Sequence, residues 1–146
     1  MSYSVKSYME KEVSKINSED TVLEAAKTMA ETDSGYQGYL IVLKDGSPVG
    51  IVTERDFVIK VLAKGVNASN TKVSTIMSEP LVVIDPDEDM LKASELMKEH
   101  SIRKLPVVRD GIIYGIITAD GIAQKCGLYI DKTVRDIIRW SAPLGM

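Results

Sequence analysis

The 146-residue sequence predicts a mixed α/β (α+β) fold built from two pseudo-symmetric β-α-β-β-α repeats. Three observations predict it. Val5-Lys6-Ser7-Tyr8-Met9 returns as Val73-Ser74-Thr75-Ile76-Met77, and Ile16, Leu23, Ala25 and Met29 return at the same spacing as Ile84, Leu91, Ala93 and Met97. The run from Asp45-Gly46 to Gly50-Ile51-Val52-Thr53 returns from Asp110-Gly111 to Gly115-Ile116-Ile117-Thr118 at a spacing shorter by three residues, which puts an insertion near 33–38 of the first copy. Helical and strand-like apolar spacings follow one another in the same order in both halves. Self-similarity of this length signals two copies of one structural unit. Two copies facing each other leave a cleft between them, and function is to be sought there.

The elements follow in order. Val13–Ile16 alternates and reads as a short strand. Ser18-Glu19-Asp20 precedes Val22, Leu23, Ala25, Ala26, Met29 and Ala30. That pattern predicts a capped amphipathic helix over 20–32. Tyr39–Leu43 is a short apolar strand, Lys44-Asp45-Gly46-Ser47 a hairpin turn, and Val49–Thr53 the returning strand. Glu54–Lys64 is a helix closed by Gly65. The second copy runs Leu81–Ile84 (strand), 87–99 (helix), Lys104–Val108 (strand), Arg109-Asp110-Gly111 (turn), Ile112–Thr118 (strand) and Ala119–Cys126 (helix). Gly65–Thr71 is polar and reads as the linker. The expected organisation is repeat 1 over 1–66, repeat 2 over 67–130 and a helical tail over 131–146, in which Thr133–Ile138 echoes the Val5 segment.

Composition limits the possibilities. Hydrophobic residues make up 45% and aromatics only 5%, so the core must be aliphatic. A net charge of −3 argues against general nucleic-acid affinity. The apolar runs are too short to span a membrane. Lys6, Glu10, Lys11 and Glu12 stand where a signal peptide needs an apolar stretch. One cysteine, Cys126, excludes an intrachain disulfide and fits a reducing compartment. These features predict a soluble cytoplasmic protein.

Gly50-Ile-Val-Thr-Glu-Arg-Asp56 after a paired strand and an Asp-Gly turn resembles the cystathionine-β-synthase (CBS) domain. So does Arg103-Lys-Leu-Pro-Val-Val108 before Asp110-Gly111, and Ile84-x-Pro86 leading into Leu91-x-Ala93-x-x-x-Met97. The likeness covers nearly the whole chain, twice and in order. It implies a stand-alone CBS pair that binds an adenosine-containing ligand between its copies and pairs as a homodimer.

Residue by residue, the resemblance implies a site in the first copy's cleft. Asp56, in the first turn of a helix, would accept hydrogen bonds from ribose hydroxyls. The Thr53 hydroxyl would support the sugar and phosphate, and Ile51, Val52 and Val82 would flank the adenine, partly through backbone groups. Arg103 and Lys104 would reach the phosphate from the other copy, with Arg55 a third cation. Each residue also has a plainer reading. Asp56 serves as a helix N-terminal acid, Thr53 and Thr118 serve as caps, and the Arg103–Lys104 pair fits a solvated strand edge.

The copies differ. Gly121 stands where Asp56 would recur, and Gly38 and Tyr39 stand where Arg103 and Lys104 would precede. One competent site per chain is therefore expected, with Asp120 near the phosphates disfavouring a triphosphate. Tyr36 and Tyr39 are candidates for stacking on a base. His100 and Cys126 read as a helix end and a packed thiol. No His/Cys spacing suits a metal, no Gly-rich phosphate loop is present, and no nucleophile–base pair can be defended.

The expected function is a sensor of an adenine nucleotide, AMP first and then ADP or ATP. It is not an enzyme, needs no metal, and passes its state to an unidentified regulated protein. The alternatives are a ligand-free oligomerisation scaffold, and a sensor of S-adenosylmethionine or NAD.

Overall fold

The computed structural model describes residues 3–31 and 38–126. The chain runs α1 (Val5–Tyr8), β1 (Lys15–Asn17), α2 (Val22–Ala30), β2 (Tyr39–Lys44), β3 (Ser47–Thr53), α3 (Glu54–Asp56, continuing as a π-helix over Phe57–Leu62), α4 (Val73–Ile76), α5 (Met90–His100), β4 (Lys104–Arg109), β5 (Ile112–Thr118) and α6 (Ala119–Cys126). The first sheet has the order β1-β2-β3, with β1 parallel to β2 and β2 antiparallel to β3. The second is the antiparallel pair β4-β5.

Both hairpins close through two-residue Asp-Gly turns with positive φ at each position: 52° and 83° at Asp45 and Gly46, 52° and 76° at Asp110 and Gly111. A turn of that hand matches the twist of the flanking strands, and Asp-Gly tolerates it. Both hairpins also carry an irregularity at the same place, between Val42 and Leu43 and between Val107 and Val108.

Several boundaries differ from the sequence expectation. The first helix is capped by Thr21, whose hydroxyl accepts from the Glu24 N–H while its own N–H donates to Glu24. Ser18–Asp20 forms the preceding turn instead, with Ser18 N–H donating to the Leu43 carbonyl. In the second copy, Asp89 caps α5 by accepting from the Lys92 N–H. The helix after Thr53 widens to π geometry, visible in the Ala63 N–H to Val58 carbonyl bond at 2.9 Å.

The strand expected at Leu81–Ile84 shrinks to a single parallel bridge between Ile84 and Val107. In the first copy, Ile41 N–H donates to the Ser14 carbonyl at 2.8 Å and extends the ladder. The equivalent of Ile41 is Pro106, which has no N–H, so the ladder stops.

The sequence repeats marked at Val5 and Val73 form the short helices α1 and α4, which the β-α-β-β-α reading did not include. Each packs on the other copy. Val73 and Ile76 are buried with Ile16, Val22, Met29, Leu40 and Val52, whereas Val5 is buried with Ile84, Met97, Leu105 and Ile117. Two glycines admit these segments. A Cβ on Gly50 would stand 2.7 Å from Met77 Sδ and 2.9 Å from the Ser78 carbonyl oxygen; one on Gly115 would stand 2.8 Å from Met9 Sδ and 2.6 Å from the Glu10 carbonyl oxygen.

A third cluster joins the copies. Tyr39, Ile41 and Ile116 are buried there, with Ile51, Leu81 and Ile113 against them. Alternation along β2 produces this arrangement: Leu40 and Val42 face the first core, Tyr39 and Ile41 face the other copy.

Candidate functional site

Asp56 lies at the first turn of α3, directly after β3, and is 6% exposed. Its Oδ2 accepts from the Thr53 N–H at 2.9 Å, and its Oδ1 pairs with Lys60 Nζ at 2.9 Å. Two longer contacts complete its surroundings: the Ser78 hydroxyl at 3.4 Å and the Thr53 hydroxyl at 3.5 Å. A carboxylate offers about four acceptor positions. Here two are held firmly and two loosely, by hydroxyl groups.

Ser78 is brought in by β3. Its N–H donates to the Ile51 carbonyl at 2.8 Å, and it accepts from the Ile51 N–H at 3.1 Å. Both backbone groups of Ile51 are therefore used within the protein. Val52 pairs with Leu40, and its side chain lies fully buried in the first core rather than toward a base.

Val82 is different. By the repeat it corresponds to Ser14, whose carbonyl accepts from Ile41 and whose N–H donates to the Tyr39 phenolic oxygen at 3.4 Å. At Val82 the first partner is replaced by Pro106 and the second by Lys104. Among the described residues, neither the Val82 N–H nor its carbonyl has a partner.

The cations are arranged unequally. Arg103 is exposed and pairs with Asp120 at 3.1 Å within its own copy. Lys104, at the start of β4, is partly buried and makes no ion pair among the described residues, and Arg55 is exposed on α3, likewise unpaired among them. No hydrogen bond or ion pair joins Asp56 to Arg103 or Lys104 among the described residues.

The corresponding place in the second copy is occupied by the chain itself. Thr118 Oγ1 accepts from the Gly121 N–H at 2.9 Å, and a Cβ on Gly121 would stand 2.8 Å from that oxygen and 3.1 Å from Glu10 Oε1. Glu10 is tied to Ile116 in both directions, as Ser78 is to Ile51.

Lys60, Ser78 and Glu10 were not singled out from the sequence. The i, i+4 spacing of Asp56 and Lys60 was a usable signal. Ser78 and Glu10 are equivalent in the repeat, directly after Met77 and Met9. Tyr36, the tail from Thr133 and the Cys126 side chain lie outside the described residues. His100 ends α5 and is exposed. Among the described residues, no group of three or more His, Cys, Asp or Glu could hold a metal ion, and no helix is long and apolar enough to cross a membrane.

Two repeats exchanging short helices around a buried seam, with a buried carboxylate after β3 of the first copy and a backbone edge open at Val82 in the second, define a paired two-repeat module. The CBS domain pattern matches residues 5–63 and again 73–126, and the chain belongs to the CBS domain family as a tandem pair. An uncharacterized protein of Methanopyrus kandleri is 39% identical over 106 residues, covering 72% of this chain and 53% of that protein, so the chain spans about half of that relative's length. The CBS domain-containing protein YhcV of Bacillus subtilis is 33% identical over 120 residues, covering 82% of this chain and 83% of the relative. A hexameric CBS-CP12 protein from bloom-forming cyanobacteria superposes with a TM-score of 0.75 at 33% identity, covering 84% of this chain and 67% of the other. CBS pairs are generally regulatory ligand-binding modules.

Proposed function

We propose that the chain senses an adenine nucleotide, AMP before ADP or ATP, in the cleft that holds Asp56, and passes its state to a partner protein. The open backbone edge of Val82 carries this reading. An unpaired carbonyl and N–H on one residue match the 6-amino donor and the N1 acceptor of adenine, and Pro106 is the reason the carbonyl is unpaired. Ribose hydroxyls would replace the Ser78 and Thr53 hydroxyls, the two long contacts on Asp56. Lys104 and Arg55 supply positive charge for a phosphate.

AMP is favoured because Arg103 already serves Asp120. Two cations without an ion pair among the described residues suit one phosphate better than three. A ligand held by Asp56 in one copy and Lys104 in the other would join the copies, and would shift their relative position by as much as it prefers one arrangement. The exposed face of α3 and its π continuation, with Val58 56%, Ile59 44% and Leu62 75% exposed, supports a homodimer through that helix.

Thermal unfolding with AMP, ADP, ATP, S-adenosylmethionine and NAD tests the reading, on wild type and Asp56→Ala. A ligand at about 100 times its Kd adds about 2.7 kcal/mol. The expected result is stabilisation by AMP that Asp56→Ala abolishes. Stabilisation by S-adenosylmethionine or NAD alone would replace the ligand, and no response to any of the five would favour an interaction scaffold.

A further inference from the structure

We infer that the second cleft is closed from within by Tyr39, with Glu10 standing in it as the sugar-binding carboxylate, so that each chain offers one open site. The inference rests on the proposed function in one respect: it takes the two clefts as versions of the same binding place. The correspondences are Tyr39 for Lys104, Ser14 for Val82, Glu10 for Ser78 and Gly121 for Asp56.

What is open in the first cleft is filled in the second. Tyr39 is 1% exposed, and its phenolic oxygen accepts from the Ser14 N–H at 3.4 Å. Ile41 N–H donates to the Ser14 carbonyl at 2.8 Å. The edge that Val82 leaves bare is therefore covered, on one side by a strand residue and on the other by an aromatic ring of the chain. Burial pushes the Tyr39 phenol above its ordinary range, and the negative charge of Glu10 adds to the effect. Ile116, bonded to Glu10 through both backbone groups, lies in the same buried cluster as Tyr39, which brings Tyr39 and Glu10 to the same side of the seam.

Gly121 is equally constrained. An aspartate there would drive its Cβ to 2.8 Å from Thr118 Oγ1 and 3.1 Å from Glu10 Oε1. The carboxylate of the second cleft comes instead from the N-terminal segment, held in place by the two Glu10–Ile116 backbone bonds. Gly38 and Tyr39 bring no cation. If the ring is removed, the cleft suits an uncharged ribonucleoside better than a nucleotide.

Calorimetric titration with AMP, adenosine and 2′-deoxyadenosine tests this on wild type, Asp56→Asn, Tyr39→Ala, Tyr39→Ala/Asp56→Asn, and that double variant with Glu10→Gln. Tyr39→Val replaces Tyr39→Ala if the latter does not fold. Wild type is expected to bind AMP once per chain, and Asp56→Asn not at all. Tyr39→Ala gains a site for adenosine, which survives in Tyr39→Ala/Asp56→Asn, prefers adenosine over 2′-deoxyadenosine, and weakens at least about tenfold with Glu10→Gln. An unchanged adenosine stoichiometry in Tyr39→Ala, or two sites in wild type, overturns the closure. A gained site indifferent to Glu10→Gln overturns the role of Glu10. Wild type that binds no AMP sinks the proposed function alone, because the gain or lack of a site in Tyr39→Ala still decides the closure.

Discussion

Lys60 Nζ stands 2.9 Å from Asp56 Oδ1 and donates to the Ile76 carbonyl at 3.0 Å, so the carboxylate of the candidate site has its counterion on the next turn of its own helix. The partners are unequally buried, at 37% exposure for the lysine side chain and 8% for the aspartate. Removing the cation strands a buried anion, whereas removing the anion leaves a cation that water can reach. Lys60→Met is therefore expected to destabilise by roughly 1–2 kcal/mol, after discounting for the exposed lysine, and Asp56→Asn by less. Urea unfolding of both variants and their combination measures this. A larger loss for Asp56→Asn would mean that its cap to the Thr53 N–H outweighs the ion pair.

Val5 and Val73 each complete the core of the copy they do not precede, and both are 0% exposed. Val5→Ala and Val73→Ala are each expected to cost about 1.5–3 kcal/mol. Hydrogen exchange should show the exchanged pattern: Val5→Ala loosens β4 and β5, and Val73→Ala loosens β2 and β3. Loosening confined to the sequence-adjacent copy would contradict the packing.

Arg109 bonds to Asp85 through two nitrogens, at 3.0 and 2.6 Å, and also to Asp87, which Lys6 reaches at 3.1 Å. The network ties α1 to the second copy. The Arg109 hydrogen bonds hold the Asp85 and Asp87 carboxyls below their ordinary value, with backbone and Lys6 contacts adding to the effect. Because the folded pKa values are depressed, the contribution is present above the unfolded value near 4 and is lost as pH falls through the folded values. Arg109→Gln should be less stable than wild type at pH 7, more so at low salt, and the gap should close under acid. A gap that does not narrow as the pH falls would assign the loss to packing.

Val58, Ile59 and Leu62 form an outward apolar face, while Phe57 and Val61 turn into the first core. Val58→Asp/Leu62→Asp should leave the fold intact, because both side chains are exposed, and should shift sedimentation from dimer toward monomer. Sedimentation unchanged by the substitutions would place the dimer contact on another surface.

Much of this was legible in the chain. The repeat, both Asp-Gly hairpins, the apolar faces of α2 and α5 and the inequality of Asp56 and Gly121 follow from residue type and spacing, because those signals are local. Pro106 was in view too, but its consequence was not. A missing N–H matters only once the strand opposite it is known, and that strand turned out to be a single bridge at Ile84.

The sequence by itself determined that two like units would pair, since a repeated pattern must repeat its turns and cores, and that Gly121 stands in the second where the first has Asp56. Only the tertiary structure decided that α1 and α4 trade copies, that Ser78 approaches Asp56, that the Tyr39 phenol meets the Ser14 N–H, and that Glu10 stands against Gly121. These contacts join residues far apart in the chain, from 22 positions for Ser78 and Asp56 to 111 for Glu10 and Gly121, across surfaces that exist only after the two repeats close on each other.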